Sequence, residues 1–275
     1  MNVDRSRAAE LAFAAAEEAA RIVMGVYRQA FDVAYKAADD PVTRADHESN
    51  ALLCDRLAAA FPGVPIVAEE SSPSTYAGFA DKDACWFVDP LDGTREFVAR
   101  NGEFAVMLGL AEKGRATVGV ILAPAWGRSF VGIVGEGAWE VGHDGTRRPI
   151  HVSSRATLEG ASITVSRTRI VDGLLEFGMG RGAQRPFQHG SSGLKGVLVA
   201  TADKDAYVQP GRAGMRWDAC ATEALVRAAG GECTDARGEP FDYRDPDLEN
   251  REGLVATNGA MHAEVIEVLE VLKGR

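Results

Sequence analysis

The sequence lacks paired cysteines, long apolar runs and any excess of positive charge. Its four cysteines, Cys54, Cys85, Cys220 and Cys233, show no CxxC spacing. Three of them fall in apolar-patterned segments, so no soft-metal site is implied, and buried free thiols in a reducing cytoplasm are expected. No uncharged stretch is long enough to cross a bilayer, so no membrane insertion is expected. The apolar residues near the N-terminus are interrupted by Glu10, Glu17, Glu18 and Arg21, unlike a secretory leader. The formal net charge of -10 argues against a nucleic-acid polymer or an anionic membrane as partner. An anionic small molecule would then need a local positive centre, such as bound metal. No internal repeat or low-complexity linker breaks the chain. With 275 residues, 46% of them hydrophobic and 25% charged, the composition is globular, with room for one large domain or two ordinary ones.

The stretch around which the rest is organised is Trp86-Phe87-Val88-Asp89-Pro90-Leu91-Asp92-Gly93-Thr94. Cys85 and the three apolar residues after it read as a short buried strand, which Pro90 ends because it has no N–H for the ladder. Asp89 and Asp92 follow three apart. Such a turn can aim two carboxylates and a backbone carbonyl at one point, an all-oxygen, doubly negative set that suits a hard cation such as Mg²⁺. Gly93 permits close approach of the backbone to a ligand, and successive N–H groups in such a turn can hold an anion. An isolated Asp-Gly-Thr is more often a solvated surface turn. The second one, Asp144-Gly145-Thr146, lies between strand-like segments without a second acid and is read as a plain hairpin turn.

Along the chain, residues 4 to 30 carry a helical pattern, with Leu11, Ala15, Ala19, Ile22 and Val26 on one face. Asp39-Asp40-Pro41-Val42-Thr43 breaks it. Thr43 and Asp46 resemble a capping box ahead of a second helix bearing Leu53, Leu57 and Ala60, which Pro62-Gly63 stops. Asp46 is by itself a first-turn acid favoured by the helix dipole. Residues 65 to 68 form a short strand ending in Glu69-Glu70. Sites in α/β proteins gather at strand ends, so Glu69 could join Asp89 and Asp92. Residues 104 to 141 read as successive antiparallel hairpins, an α+β layout. Near residue 150 the pattern changes to alternating strands and helices. Strands are expected at 161–165, 206–208 and 253–257. Helices are expected at 169–177, from Ser191 through Ala202, from Trp217-Asp218 to Gly230-Gly231, and from Ala260 to Lys273. Two subdomains, 1-149 and 150-275, are therefore expected, the second contributing Asp218 as a fourth acid.

Four converging acids would repel one another without metal. Metals would relieve the conflict, activate water and stabilise the leaving oxygen of an in-line displacement. Thr94 with Glu69 or Asp46 could orient the water and accept its proton, and the Gly93 and Thr94 amides could stabilise phosphoryl oxygens.

The DPLDGT string, the earlier Glu69-Glu70 and the later Trp217-Asp218-x-Ala resemble, in order, the three signatures of the Mg²⁺-dependent, Li⁺-sensitive inositol monophosphatase superfamily. The segment from Asp40 to Asp46 matches the N-terminal element of that superfamily, and the resemblance covers nearly the whole chain. It implies a layered α/β/α/β/α sandwich, with two or three Mg²⁺ held by Glu69, Asp89, the Leu91 carbonyl, Asp92 and Asp218. It also implies a water activated near Glu69, Thr94 and Asp46. Arg95-Glu96-Phe97, Asn101-Gly102-Glu103-Phe104 and the segment from Gly190 to Lys195 resemble the bacterial 3'(2'),5'-bisphosphate nucleotidase branch, of the sulfur-assimilation type. The implied reaction converts adenosine 3',5'-bisphosphate and water to AMP and phosphate. Leu91, Asp92, Gly93, Thr94, Ser192, Lys195 and Asp218 are then the expected substrate contacts. Arg95 departs from the usual Lys, a change that keeps charge but not geometry. His189, Lys195, Arg212 and Arg216 are candidates for the second phosphate or the base. The alternatives are a phosphatase of inositol or another polyol phosphate and, in a different class, a catalytically inactive binder of metal or nucleotide. A cytoplasmic monomer or homodimer is expected.

Overall fold

The computed structural model describes residues 3–37 and 40–273; Asp39 lies outside the described residues. Helix α1 (Arg5–Tyr27) starts at Asp4, whose carboxylate accepts the Arg7 N–H at 3.0 Å. Its inward face is an alanine stripe, Ala8, Ala12, Ala15 and Ala19, continued by Val23 and Val26. Leu11 and Ile22, expected on that face, are half-buried at its margins, because small side chains let α1 lie close to its neighbours. A hairpin of β1 (Val33–Ala37) and β2 (Asp40–Thr43) leads into α2 (Arg44–Ala60). The capping box is present: the Thr43 hydroxyl accepts the Ala45 N–H at 3.1 Å, and Asp46 accepts the Thr43 N–H at 2.7 Å.

The first sheet runs in the order β3 (Ile66–Ala68), β4 (Ala84–Asp92), β5 (Ala105–Glu112), β6 (Arg115–Ala123), β7 (Arg128–Ile133), β8 (Gly137–Val141), β9 (Arg147–Pro149). Only β3 and β4 pair in parallel; the rest is the expected antiparallel meander. β4 does not end at Pro90. It continues to Asp92 through an irregularity in which the three steps from Asp89 to Asp92 face two on β5, from Met107 to Ala105. This extra residue is how the strand accommodates a proline, and it re-aims both carboxylates. A five-residue helix, α3 (Thr94–Val98), follows directly.

The second sheet has the order β11 (Phe187–His189), β10 (Ile163–Ser166), β12 (Ala206–Gln209), β14 (Leu254–Thr257), β13 (Glu232–Thr234). Helices α4 (Ser192–Ala200) and α5 (Arg216–Ala228) lie between the two sheets, and α6 (His262–Lys273) covers the far side. The alternation of side chains sorts three cores. Trp86, Val88, Val106 and Leu108 pack on α1 and α2. Phe87, Met107, Tyr207 and Leu254 pack on α4 and α5. Ile163, Val165, Val208 and Val255 pack under Val265 and Leu269 of α6. The chain is thus an α+β, layered α/β/α/β/α sandwich.

The helix expected over 169–177 does not form. Gly173 and Gly178 adopt left-handed φ of 75° and 71°, leaving one tight turn, Leu174–Glu176. Strands β11 and β13, three residues each, were too short to show a period. One feature sets the position of α5. Gly109, Gly119 and Gly132 are cross-strand neighbours on β5, β6 and β7. A Cβ on Gly109 would stand 2.6 Å from the Ala221 nitrogen, one on Gly132 2.7 Å from Leu225 Cα, and one on Gly119 would strike the Ala221 carbonyl. The glycine row is a trough in the sheet, and α5 lies in it, bringing its first turn to the end of β4.

Candidate active site

Four chain segments meet at the end of β4. Asp89 Oδ1 accepts the Leu91 N–H at 2.9 Å, which folds the irregular step of the strand. Asp92 is buried, and its Oδ2 accepts the Ser191 hydroxyl at 2.5 Å and the Gly193 N–H at 2.7 Å. Asp218, in the first turn of α5, accepts the Met215 N–H at 2.5 Å. Oxygen atoms of Asp89, Asp92 and Asp218 all lie within 4.8 Å of one another. Glu69 approaches from the end of β3, where Lys36 of β1 lies 2.8 Å from it and 2.6 Å from Glu70.

The electrostatics are those of a site assembled for a cation. Burial, and then the charges of Glu69, Asp92 and Asp218, push the Asp89 carboxyl well above the usual carboxylate range. Burial followed by Asp92 raises Asp218 to about 6, and burial opposed by Lys36 raises Glu69 to about 7. Such a set, all oxygen and short of positive charge, fits a hard divalent ion and not a soft one. Glu69, Asp89, Asp92, Asp218 and the Leu91 carbonyl border one cavity and could supply its ligands.

Thr94 stands at the same cavity. Its hydroxyl lies 3.0 Å from Asp46 Oδ1 and 3.1 Å from the Leu91 carbonyl. Asp46 is behind the wall rather than in it, its other oxygen taken by the Thr43 N–H and hydroxyl, both at 2.7 Å. Burial raises its carboxyl above the ordinary value.

The cavity therefore gathers Glu69, Asp89, Leu91, Asp92, Gly93, Thr94, Ser192, Lys195 and Asp218, with Asp46 one side chain back. The four expected cations fare differently. Lys195 lines the cavity, but its ammonium donates to the carbonyls of Gly190 at 3.0 Å and Ser191 at 2.6 Å and sits 4.8 Å over the Tyr207 ring. Burial lowers it to about 8. His189 packs edge-on to Trp126, away from the cavity wall. Arg212 is an exposed partner of Glu249. Arg216 turns to the other side of α5, donating to Asn250 at 2.6 Å over the Phe241 ring.

Residues absent from the sequence reading are Lys36, Ser191 as a partner of Asp92, and Arg169. Arg169 reaches the cavity from the loop after β10, together with Ser166 and Thr168. The Gln209 amide holds the Arg169 carbonyl at 2.9 Å. The only signal for Arg169 was a basic residue in a segment wrongly assigned to helix.

Residues 4–273 match the profile described as the inositol monophosphatase family. The protein named 3'(2'),5'-bisphosphate nucleotidase CysQ of Escherichia coli (strain K12) is 35% identical over 231 residues, covering 83% of this chain and 90% of that protein. The protein of the same name from Aggregatibacter actinomycetemcomitans is 30% identical over 246 residues, covering 90% and 89%. Among solved structures, an inositol monophosphatase of Thermotoga maritima superposes with a TM-score of 0.81 at 27% identity, covering 96% of this chain and 98% of that one. The suhB protein of Bartonella henselae gives 0.80 at 26%, covering 95% and 97%. The layered fold, the signature acids gathered at one cavity and a match over nearly all of the sequence agree, and the chain belongs to the inositol monophosphatase family of metal-dependent phosphoric monoester hydrolases.

Proposed function

We propose that this protein is a Mg²⁺-dependent 3'(2'),5'-bisphosphate nucleotidase that converts adenosine 3',5'-bisphosphate and water to AMP and phosphate. The observation that carries this reading is the composition of the cavity. Beside its carboxylates the lining includes Arg169, Ser166, Thr168 and Ser192, a cation and three hydroxyls suited to a second phosphate of the same ligand. The relatives named as nucleotidases support the same branch.

Two or three Mg²⁺ held by Glu69, Asp89, the Leu91 carbonyl, Asp92 and Asp218 would supply Lewis acidity toward the phosphoryl oxygens and lower the pKa of water. The chain's own groups do the rest. Thr94 gives its hydroxyl hydrogen to Asp46, which leaves its lone pairs to accept from the attacking water and so to orient it. Thr43 holds Asp46 for that task. Glu69, which lines the same cavity, is the group that takes the water's proton. Gly93, at φ 94°, turns the backbone so that the start of α3 faces the phosphoryl oxygens. Arg169 and Ser192 hold the second phosphate, and Lys195 shapes the turn that carries Ser192.

Li⁺ inhibition, a place in sulfur assimilation and a cytoplasmic location belong to this proposal, as do subdomains 1-149 and 150-275 and a monomeric or homodimeric state. Four free cysteines fit a reducing compartment. Among the described residues no helix is long and apolar enough to cross a membrane. The test is phosphate release with Mg²⁺, adenosine 3',5'-bisphosphate against inositol 1-phosphate at matched concentrations. Preference for the nucleotide is expected. Preference for the inositol ester would move the protein to the polyol-phosphate branch that the Thermotoga structure represents. Arg169→Met should raise KM for the bisphosphate about tenfold or more, the worth of a charge-assisted contact, and leave KM for inositol 1-phosphate near its starting value.

A further inference from the structure

The turn from Gly190 to Gly193 joins the two halves of the molecule at Asp92. Ser191 Oγ and the Gly193 N–H take one oxygen of that carboxylate, and so fix which way its other oxygen faces. The turn is not a relaxed one. Ser191 has φ 46° and ψ 125°, a conformation that an L residue keeps only when its surroundings hold it there.

Two groups hold it. From inside, Lys195 donates to the Gly190 and Ser191 carbonyls. From the first half of the chain, Glu103 Oε2 accepts the Gly190 N–H at 2.7 Å. Glu103 is itself gripped by Arg167, at the end of β10, through two parallel bonds of 2.5 and 2.7 Å. The packing leaves no slack. A Cβ on Gly93 would stand 2.8 Å from the Glu103 carbonyl and 3.4 Å from Ser191 Cβ. One on Gly190 would run into the Glu96 side chain, and one on Gly193 would stand 2.6 Å from Met107 Sδ. Glu96 and Glu103, the two acids of the branch-specific stretch after Thr94, therefore both bear on the turn. Neither Glu103 nor Arg167 lines the cavity.

We propose that Glu103, braced by Arg167, is a positioning residue for Asp92, acting through Gly190 and the strained Ser191 turn. This rests on the reading that Asp92 holds the metal, and it says nothing about which phosphate ester is cleaved. Arg167 fixes the Glu103 carboxylate, Glu103 fixes the Gly190 amide, and Ser191 and the Gly193 amide fix Asp92. Outer partners of metal-ligating carboxylates typically contribute 10–100-fold in metal affinity.

The test reads metal binding in the substrate-free protein. Mn²⁺ binding is followed by electron paramagnetic resonance and calorimetry for wild type, Glu103→Ala, Glu103→Gln, Ser191→Ala and Glu103→Ala/Ser191→Ala, with melting temperature and circular dichroism recorded alongside. Glu103→Ala is expected to weaken Mn²⁺ about tenfold, with Glu103→Gln, which keeps one acceptor for the Gly190 N–H, in between. Because Glu103 acts through Ser191, the double variant should be no weaker than Ser191→Ala alone. Independent, additive losses, or Mn²⁺ affinity unchanged in a folded Glu103→Ala, would overturn the proposal. Should Glu103→Ala fail to fold, Arg167→Met removes the brace and leaves Glu103 in place, and an unchanged Mn²⁺ affinity there would be equally damaging. None of these readouts involves a phosphate ester, so an error in the proposed substrate leaves the outcome untouched.

Discussion

The chain contains Asp-Gly-Thr twice, and the two copies could hardly be more different. Asp144 is fully exposed, and its side chain closes on the Thr146 hydroxyl and N–H, which lowers its carboxyl below the usual value. Gly145 has φ 79° and nothing within 4 Å of where a Cβ would be. Asp92 is 6% exposed, it is bonded by a turn nearly one hundred residues later in the chain, and Gly93 is wedged between Glu103 and Ser191. Both glycines turn the chain in the left-handed region; one turn ends a hairpin, the other points a carboxylate at two more. The tripeptide carries almost no chemistry by itself. It acquires chemistry when a bulged strand end, a helix set in a trough of glycines and a strained turn from the other half converge on it.

The sharpest way to break the comparison is to remove the carboxylate charge from each copy. Asp92→Asn should lower Mg²⁺-dependent phosphate release by about 10³-fold or more, with the far-ultraviolet circular dichroism unchanged. Asp89→Asn should do the same. Asp144→Asn should leave activity within about twofold and stability within about 0.5 kcal/mol. Retained activity in Asp92→Asn or Asp89→Asn would remove these carboxylates from the metal site.

The glycines separate strain from packing. Ala at either position takes a positive φ, which costs about 1 kcal/mol or more. In Gly145→Ala that is the whole cost. Gly93→Ala must also move the Glu103 carbonyl and Ser191, so the loss should be larger by about 1–3 kcal/mol, with activity down about 10²-fold from misplaced groups. Urea denaturation of the two variants against wild type gives the difference directly, and equal losses would show that the site turn is as loose as the hairpin.

Much of the site was legible because its signals are local. Asp89, Asp92, Gly93 and Thr94 are neighbours in sequence, the capping geometry of Thr43 and Asp46 spans three residues, and Asp218 begins a helix with a clear stop at Gly230. The first sheet was legible through its alternation and its turns. What stayed hidden is non-local. Lys36 meets Glu69 across 33 residues, Ser191 meets Asp92 across 99, and Arg216 proved to face away from the cavity that Asp218 faces. The stretch from 169 to 177 misled because its apolar residues fall at helical spacing, while Gly173, in the left-handed region, breaks the helix. Composition gives no means of ranking four basic residues, two of them, His189 and Lys195, buried, and of those named only Lys195 reached the cavity, with its ammonium already donating to carbonyls.

The smallest effect expected is a slope. In metal-free protein, Glu69 at about 7 and Asp218 at about 6 lie above their unfolded values, so between roughly pH 4 and 7 the folded chain binds more protons at these groups than the unfolded chain does. Their contribution to stability is fully present below the unfolded pKa and is lost as pH rises through 6 to 7. Asp144 has the opposite sign: its lowered carboxyl contributes above its unfolded pKa and loses that contribution only as the solution becomes more acidic. With a chelator present, raising pH from 5 to 7.5 should therefore lower the melting temperature more in wild type than in Asp218→Asn, by a few degrees at this chain length. Asp144→Asn should keep the wild-type slope across that window. Mg²⁺ at pH 7.5 should restore the loss in wild type, because a ligand of the native state alone adds stability and neutralises the repulsion that raised these pKa values. Scanning calorimetry of the three proteins decides it. If wild type and Asp218→Asn run parallel, the acids are not in electrostatic conflict, and the case for a cation-seeking site distinct from the exposed Asp144 turn loses its physical basis.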